Sequence, residues 1–555
     1  MKTISYLSLM GVALVGLNAC IEETFPEDSF ATTEQVASSP SAIKASALGM
    51  PSAMAQGYYV YEEQVHETDM SYPQFMIAFT ELLGDMYPEG SNSGYDWYRN
   101  YNTFDRTFGP DSYFSYLPWF TCYKLIKTNN DILSAVDVSD PETSDEIKYY
   151  GALAHTCRAF NYYLLTVMFQ PVENIYTDCS KVLDLTVPKV TEKTTREEAK
   201  QNPRLTRAEM KDFLLSDLDK ADSTFSAIGA ANIKAMNLGK TLPSLAVIYG
   251  LKAKVYMWFE DYANAATWAQ KAVDEAVASG ASPVTASQWE DPNTGFAQAN
   301  QAWLWYTHYD AENMGNLCNF TGWMSGEADW GYSSLTFPSM DKSLYDKIGA
   351  TDFRHTTFLN PDKYGYYNYK TCRDEAYIND APDYLSLKFR CLSGDWQNYT
   401  VGGVVDVPIM RVEELMLLAI EAKAMASKDF GTGVAELQAW VNTWRDPNYV
   451  TKASDERSFE LAMLDQLRIE FWGEGNAFPS AKRIKPDVIQ NYEGTNAPAD
   501  IFKLNCKGIK PNWNFVIPVK ETQSNQILEM TNNPDPSPCI PVSSRPTPIG
   551  EFAAY

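Results

Sequence analysis

Histidine is scarce, with four in 555 residues. His66, His155, His308 and His355 are scattered and unpaired along the chain, and their spacing offers no metal-ligating set. The sequence also lacks a G-x-S-x-G nucleophile elbow, an H-E-x-x-H helix, a P-loop and a G-x-G-x-x-G turn, so no familiar catalytic or nucleotide-binding motif is present. Basic side chains are the next shortage. Forty-five Lys and Arg face seventy-one Asp and Glu, a net charge of −26 that repels a phosphate backbone, and nucleic acid is excluded as a partner. Polyanionic ligands are disfavoured less strongly, because a local positive patch can sit on an acidic protein.

Paired cysteines are missing too. Beyond Cys20 the chain has Cys122, Cys157, Cys179, Cys318, Cys372, Cys391, Cys506 and Cys539, none in a C-x-x-C pair. An exported chain of this size is permitted disulfides but does not need them, so a few at most are expected and no pairing is assigned. Acidic loops such as Asp291-Pro292-Asn293 lack the twelve-residue pattern of an EF-hand. Solvated loop acids are the better reading, no cofactor is expected, and a structural calcium is allowed but not assignable.

Long apolar runs are confined to the N-terminus. Lys2 precedes a mostly apolar stretch from Ile4 to Leu17, too short to span a membrane, closed by Asn18-Ala19-Cys20. The arrangement resembles a bacterial lipoprotein signal over 1–19, with Cys20 as the lipidated first residue of the mature chain; an ordinary cleaved signal is the alternative. Ile21-Glu22-Glu23 resembles a surface-export tag, and 20–40 reads as a tether.

What the chain does have is a large apolar supply, 45% hydrophobic and 13% aromatic, ample for an extensive core. From Leu242 to Gly280 it predicts two antiparallel helices. Leu245, Ile248, Leu251, Val255, Trp258 and Phe259 mark the first; Ala265, Ala269, Ala272, Val273 and Ala276 mark the second, with a turn at Glu260-Asp261. Ala253, Tyr256, Tyr262, Ala265 and Ala272 occupy the small and aromatic positions of a tetratricopeptide repeat, although Glu260 replaces the usual glycine. An ordinary helical hairpin is the alternative. Either way a lone hairpin cannot bury its faces, so neighbouring helices are required. Further helices are expected over Ser71–Leu83, from Leu117 past Leu133, from a cap at Ser139-Asp140-Pro141-Glu142 to Phe169, and from the capping box Thr206-Arg207-Ala208-Glu209.

Several of these segments resemble signatures of the SusD/RagB outer-membrane lipoproteins, and they do so in the family's order. Arg158-Ala159-Phe160-Asn161-Tyr162-Tyr163 is similar to "RAFAYF", followed here by Gln170-Pro171 where the family has a glycine turn. Asp217-Leu218 with Ala221 resembles "DLxxA". Arg411-Val412-Glu413-Glu414-Leu415 resembles the opening of "RYAEVLLIYAEA", and Asn442-Thr443-Trp444-Arg445 the "lNxxR" helix. Leu467-Arg468-Ile469-Glu470-Phe471-Trp472-Gly473-Glu474-Gly475 loosely follows "ERxxELxFEGxR", and Ile517-Pro518 with Asn532-Asn533-Pro534 follows the closing motif.

The resemblance implies a mainly α fold with few short strands, in which tetratricopeptide-like helix pairs form a right-handed superhelix beneath a loop-rich lobe. One domain would span 41–555, with repeat helices within about 41–83, 115–169, 206–278 and 411–471 and the lobe mainly in 84–114, 281–410 and 473–555. It also implies binding without chemistry: a lipid-anchored protein on the outside of the bacterial outer membrane, holding an oligosaccharide, or in some members a peptide, above a SusC-like TonB-dependent transporter barrel. A carbohydrate-cleaving enzyme using two facing carboxylates and a protein-only repeat scaffold are the rival readings. Ligand is expected at two glycine-broken aromatic loops, with Trp97, Tyr98, Trp323 and Trp330 as stacking faces and Asp96 and Asn102 as hydroxyl partners. The run from Tyr364 to Tyr369 is held in reserve.

Overall fold

The computed structural model of the chain describes residues 39–57, 71–88, 98–103, 108–236, 241–310, 319–363 and 369–539. Cys20, His66, Asp96, Trp97 and Cys318 lie outside the described residues. The longer helices run in chain order as α1 (Pro40–Ala53), α2 (Tyr72–Leu83), α3 (Tyr113–Ala135), α4 (Asp145–Phe169), α5 (Arg207–Ile228), α6 (Leu245–Trp258), α7 (Tyr262–Ala278), α8 (Val412–Ser427), α9 (Phe430–Trp444), α10 (Glu456–Glu470) and α11 (Ala477–Ile484). Between them lie short antiparallel pairs: β1 (Met86–Pro88) with β5 (Pro338–Met340), β2 (Leu185–Pro188) with β3 (Arg204–Thr206), β4 (Trp303–His308) with β6 (Asp406–Arg411), and β7 (Val488–Ile489) with β8 (Asn505–Cys506). The fold is mainly α, as expected. No helix among the described residues is long and apolar enough to cross a membrane.

Local chemistry accounts for the helix boundaries. Ser39 caps α1 by accepting from Ala42 N, ahead of Pro40, and Thr206 and Glu209 close the expected capping box on α5. The start of α4 differs from expectation. Asp140 folds its carboxylate onto Glu142 N in a turn, and Ser144 caps the helix instead, followed by Asp145 and Glu146 in the first turn, where the helix dipole favours them.

The α6/α7 hairpin is present. Ala253, Ala265, Ala269, Ala272 and Ala276 are fully buried, so the small positions are where the helices approach. On α6, Gly250 lets α8 approach closely: a Cβ placed there would sit 2.6 Å from a Leu415 methyl. Glu260 takes the left-handed conformation (φ 61°) that glycine usually supplies, and Asp261 then caps α7 through Asn264 N. Tyr256 differs from expectation. It is only half-buried, at the edge of the hairpin, with the Lys211 amine 5.1 Å from its ring; Leu251 and Val255 fill the interior.

A second hairpin repeats this turn. Lys428 is left-handed (φ 58°) and Asp429 caps α9 by accepting from Thr432 N. Gly433 stands where Ala265 stands in the first hairpin, counted from the capping aspartate, and a Cβ there would meet Ala424 at 2.6 Å.

The family-like motifs converge in space as buried charge. Arg158 on α4 grips Asp217 on α5 through two hydrogen bonds, Nε to Oδ2 at 2.7 Å and Nη2 to Oδ1 at 2.8 Å, and His155 joins at 2.8 Å. His155 is therefore a hydrogen-bonded core histidine, and His308 is hydrogen-bonded too, its Nδ1 2.7 Å from Asp406. At the other end, Arg411, Arg445 and Arg354 surround Glu470, while Arg411 and Lys388 also hold Glu474. All six are almost wholly buried. Because Arg354 and Lys388 come from the loop-rich lobe and the others from β6 and α9–α10 and its exit, this cluster ties lobe to helices.

Candidate functional site

Four of the residues expected to bind ligand, Tyr98, Asn102, Trp323 and Trp330, are buried in the described structure. Tyr98 meets Trp323 edge to face, centroids 4.8 Å apart at 87°, and Trp323 stacks on Tyr332 at 4.4 Å. Tyr98 is 2% exposed and Trp323 6%, whereas Tyr332 is half-buried. Trp330 lies in a small apolar cluster with Ala328 and Cys391, flanked by Trp396 and Tyr399. Asn102 has no exposed surface. Its Nδ2 donates to Met86 O at 2.9 Å and its Oδ1 accepts from Gln490 Nε2 at 2.6 Å and Lys510 Nζ at 3.2 Å.

Open stacking faces at Tyr98, Trp323 and Trp330, and a free hydroxyl partner at Asn102, are thus not what the fold provides. The physical reason is that these segments carry only single-turn helices, Arg99–Thr103 and Phe320–Met324, so their large rings become their core. Asp96 and Trp97 lie outside the described residues, as does most of the reserve run; Tyr369 within it is buried, its hydroxyl accepting from Asn360 N at 3.2 Å. Beside Tyr98 and Trp323 the described side chains leave a cleft of about 20 Å³, bounded also by Met86, Pro88, Thr336 and Pro338.

A much larger opening, about 690 Å³, lies on another part of the molecule, within the size range of small-ligand sites. Its floor comes from one turn of α3: Trp119, Phe120 and Tyr123, with Lys124 and Lys127 following. The opposite wall is the stretch after β2, with Pro188, Val190, Arg196, Lys200 and Asn202, and the C-terminal segment closes it with Glu521, Asn525 and Leu528. Hydrogen bonds fix these walls. Tyr123 donates to Pro188 O at 2.6 Å, Asn202 Nδ2 to Lys189 O at 2.7 Å, and Asn525 Nδ2 to Asn202 O at 2.6 Å. Trp119 is held edge-on by Phe169, centroids 4.9 Å apart. Burial pushes the Tyr123 hydroxyl pKa well above its usual value, so it remains a neutral donor. Sequence periodicity misses this site because Trp119 and Tyr123 read as helix core; the signal was the pair of lysines one turn on, on the same helix.

Among the described residues no group of three or more His, Cys, Asp or Glu side chains is placed so that it could hold a metal ion. The Asp291 loop spends its carboxylate on Asn293 N and Thr294 N. The described cysteines are all free thiols.

Residues 38–257 match a family model described as SusD-like, starch-binding and associating with the outer membrane. No curated protein matches the chain. Solved structures do. A SusD-like carbohydrate binding protein from Bacteroides vulgatus superposes with a TM-score of 0.68 at 16% identity, covering 93% of this chain and 100% of its own. A SusD superfamily protein from Bacteroides thetaiotaomicron gives 0.65 at 16% identity, covering 89% and 99%, and a laminarin binding SusD-like protein gives 0.56 at 18% identity, covering 89% and 99%.

Proposed function

Because the chain is SusD-like, by family model over residues 38–257 and in fold over its described length, we propose that it captures oligosaccharide at the bacterial surface and presents it to a TonB-dependent transporter barrel of the outer membrane. The observation that carries this reading is the whole-chain match of the fold to a carbohydrate binding protein. Anchoring would be through lipidated Cys20 and the tether to residue 40.

The glycan seat we propose is the lip of the loop-rich lobe. Tyr332, half-buried and stacked on Trp323, would contribute its ring, with Trp97 and Asp96, which lie outside the described residues, as its proposed partners, while Tyr98, Trp323, Trp330 and Asn102 are buried. A binder fits better than a hydrolase. Glycoside cleavage needs two carboxyl groups facing a substrate, whereas Glu470 and Glu474 are sealed in arginine and lysine contacts and Glu521 is the one carboxylate among the described residues that line the large cleft.

Isothermal titration of the chain from Ile21 onward against a polysaccharide panel that includes laminarin tests the reading. Saturable binding without new reducing ends is expected. By analogy with stacking on nucleic-acid bases, about 1–3 kcal/mol per ring, Trp97→Ala with Tyr332→Ala lowers affinity at least tenfold at an unchanged melting temperature. Binding to nothing on the panel, or release of new reducing ends, defeats it.

A further inference from the structure

We propose that the 690 Å³ cleft between α3, the β2–β3 connection and the C-terminal segment is a second ligand site, built for an acidic sugar such as a uronic acid residue. Its floor and its rim call for different chemistry in one ligand. Phe120 and Tyr123, both half-buried, line it with aromatic surface, which suits the C–H face of a pyranose. Its rim is cationic on a protein of net charge −26: Lys124, Lys127, Arg196 and Lys200 line it against Glu521 alone.

Three of those cations are already engaged, Lys124 with its amine 5.8 Å from the Phe120 ring centroid, Lys127 by Asp131 at 2.7 Å and Lys200 by Glu197 at 2.8 Å. Arg196 is different. It is exposed at the rim and makes no ion pair among the described residues, and its planar fork of donors matches a carboxylate, which it can bind through two parallel hydrogen bonds. It is also held in place, since the short helix it opens starts from a closed capping box between Thr195 and Glu198. The wall contributes an unmet acceptor. Asn525 is 5% exposed and donates to Asn202 O, and its Oδ1, itself buried, has no hydrogen-bond partner among the described residues. A ring face, a carboxylate and hydroxyls together define a uronate. A neutral glycan leaves Arg196 unused, and an inorganic anion leaves the aromatic floor uncovered.

The probe is tetragalacturonate, titrated beside its methyl ester and beside laminarin. Saturable tetragalacturonate binding is expected, weakening as salt rises, with the ester at least tenfold weaker. Arg196→Gln is expected to cost at least tenfold for tetragalacturonate while leaving the melting temperature and any laminarin affinity as they were; Lys200→Gln provides a second rim variant with a smaller loss. No saturable binding, equal binding of the ester, or binding unchanged in both rim variants overturns the proposal. The two sites fail separately. Laminarin bound without tetragalacturonate removes the cleft and leaves the loop-lobe seat, whereas tetragalacturonate lost in Arg196→Gln and kept in Trp97→Ala with Tyr332→Ala supports the cleft even where no neutral glycan binds.

Discussion

Lys482 shows how one side chain can replace a sequence rule. The end of α4 lacks the glycine that normally turns a chain out of a helix, and Gln170-Pro171 follows directly. Its last carbonyls are instead met from outside. The fully buried Lys482 amine donates to Val167 O, Met168 O and Gln170 O at 2.7, 3.1 and 3.0 Å, while Arg204 and Asn533 donate to Phe169 O. Burial with no carboxylate beside it holds the Lys482 pKa well below the usual amine range. Lys482→Met keeps the bulk and removes the donors, leaving buried carbonyls short of partners at about 1–3 kcal/mol each. We expect a loss of roughly 3 kcal/mol or more, read as a lower urea midpoint at unchanged slope. A wild-type midpoint in Lys482→Met would mean that the Val167, Met168 and Gln170 carbonyls do not depend on the amine.

Among the elements, the α6/α7 hairpin shows what periodicity can and cannot deliver. Its small residues were legible because close helix approach demands them, and Ala253, Ala265 and Ala272 are indeed buried. Tyr256 was not, because a helix with apolar residues most of the way round does not say which side faces its partner. Its sequence position fits an inner aromatic, yet it sits at the edge under Lys211. Tyr256→Ala is therefore expected to cost about 1–2 kcal/mol, less than the roughly 3–5 kcal/mol of a fully buried ring. Glu260→Gly tests the turn in the opposite direction. A left-handed glutamate costs about 1–2 kcal/mol, and the extra freedom glycine brings to the unfolded chain returns about 0.5–1 kcal/mol of that, so a gain of up to about 1 kcal/mol is expected by thermal melting. The same turn at Lys428-Asp429 escapes a sequence reading because Gly431 and Gly433 look like helix breakers; Gly433 is there because Ala424 comes within 2.6 Å of where its Cβ would be.

Across the whole molecule, the legible motifs proved to be fasteners, and the ligand surfaces proposed above lie elsewhere. Buried charge must be matched residue for residue, which leaves a readable pattern at Arg158, Asp217, Arg411, Arg445, Glu470 and Glu474. An aromatic loop leaves none, since the same tryptophan can face a sugar or a loop core. Glu470 carries the most of this fastening. Its oxygens accept from Arg445 Nε at 2.7 Å, Arg445 Nη2 at 2.8 Å, Arg354 Nη1 at 3.0 Å and Arg411 Nη1 at 3.2 Å. Burial alone would raise its pKa, but Arg445, Arg411 and Arg354 together hold it well below the usual carboxylate range. Glu470→Gln has nearly the same shape but leaves three guanidinium groups short of a charge, and breaking a buried pair from one side costs about 3–5 kcal/mol. The sign with pH follows from the depressed value. Glu470 contributes its full stabilisation above the unfolded glutamate pKa of about 4.3, and that contribution is lost as pH falls toward the folded value. The stability difference between wild type and Glu470→Gln should therefore be constant near neutrality and shrink steadily below about pH 4. Denaturant titrations at pH 7, 5, 4 and 3 measure it; a difference that stayed constant down to pH 3 would show that the carboxylate is not the ionised centre of the cluster.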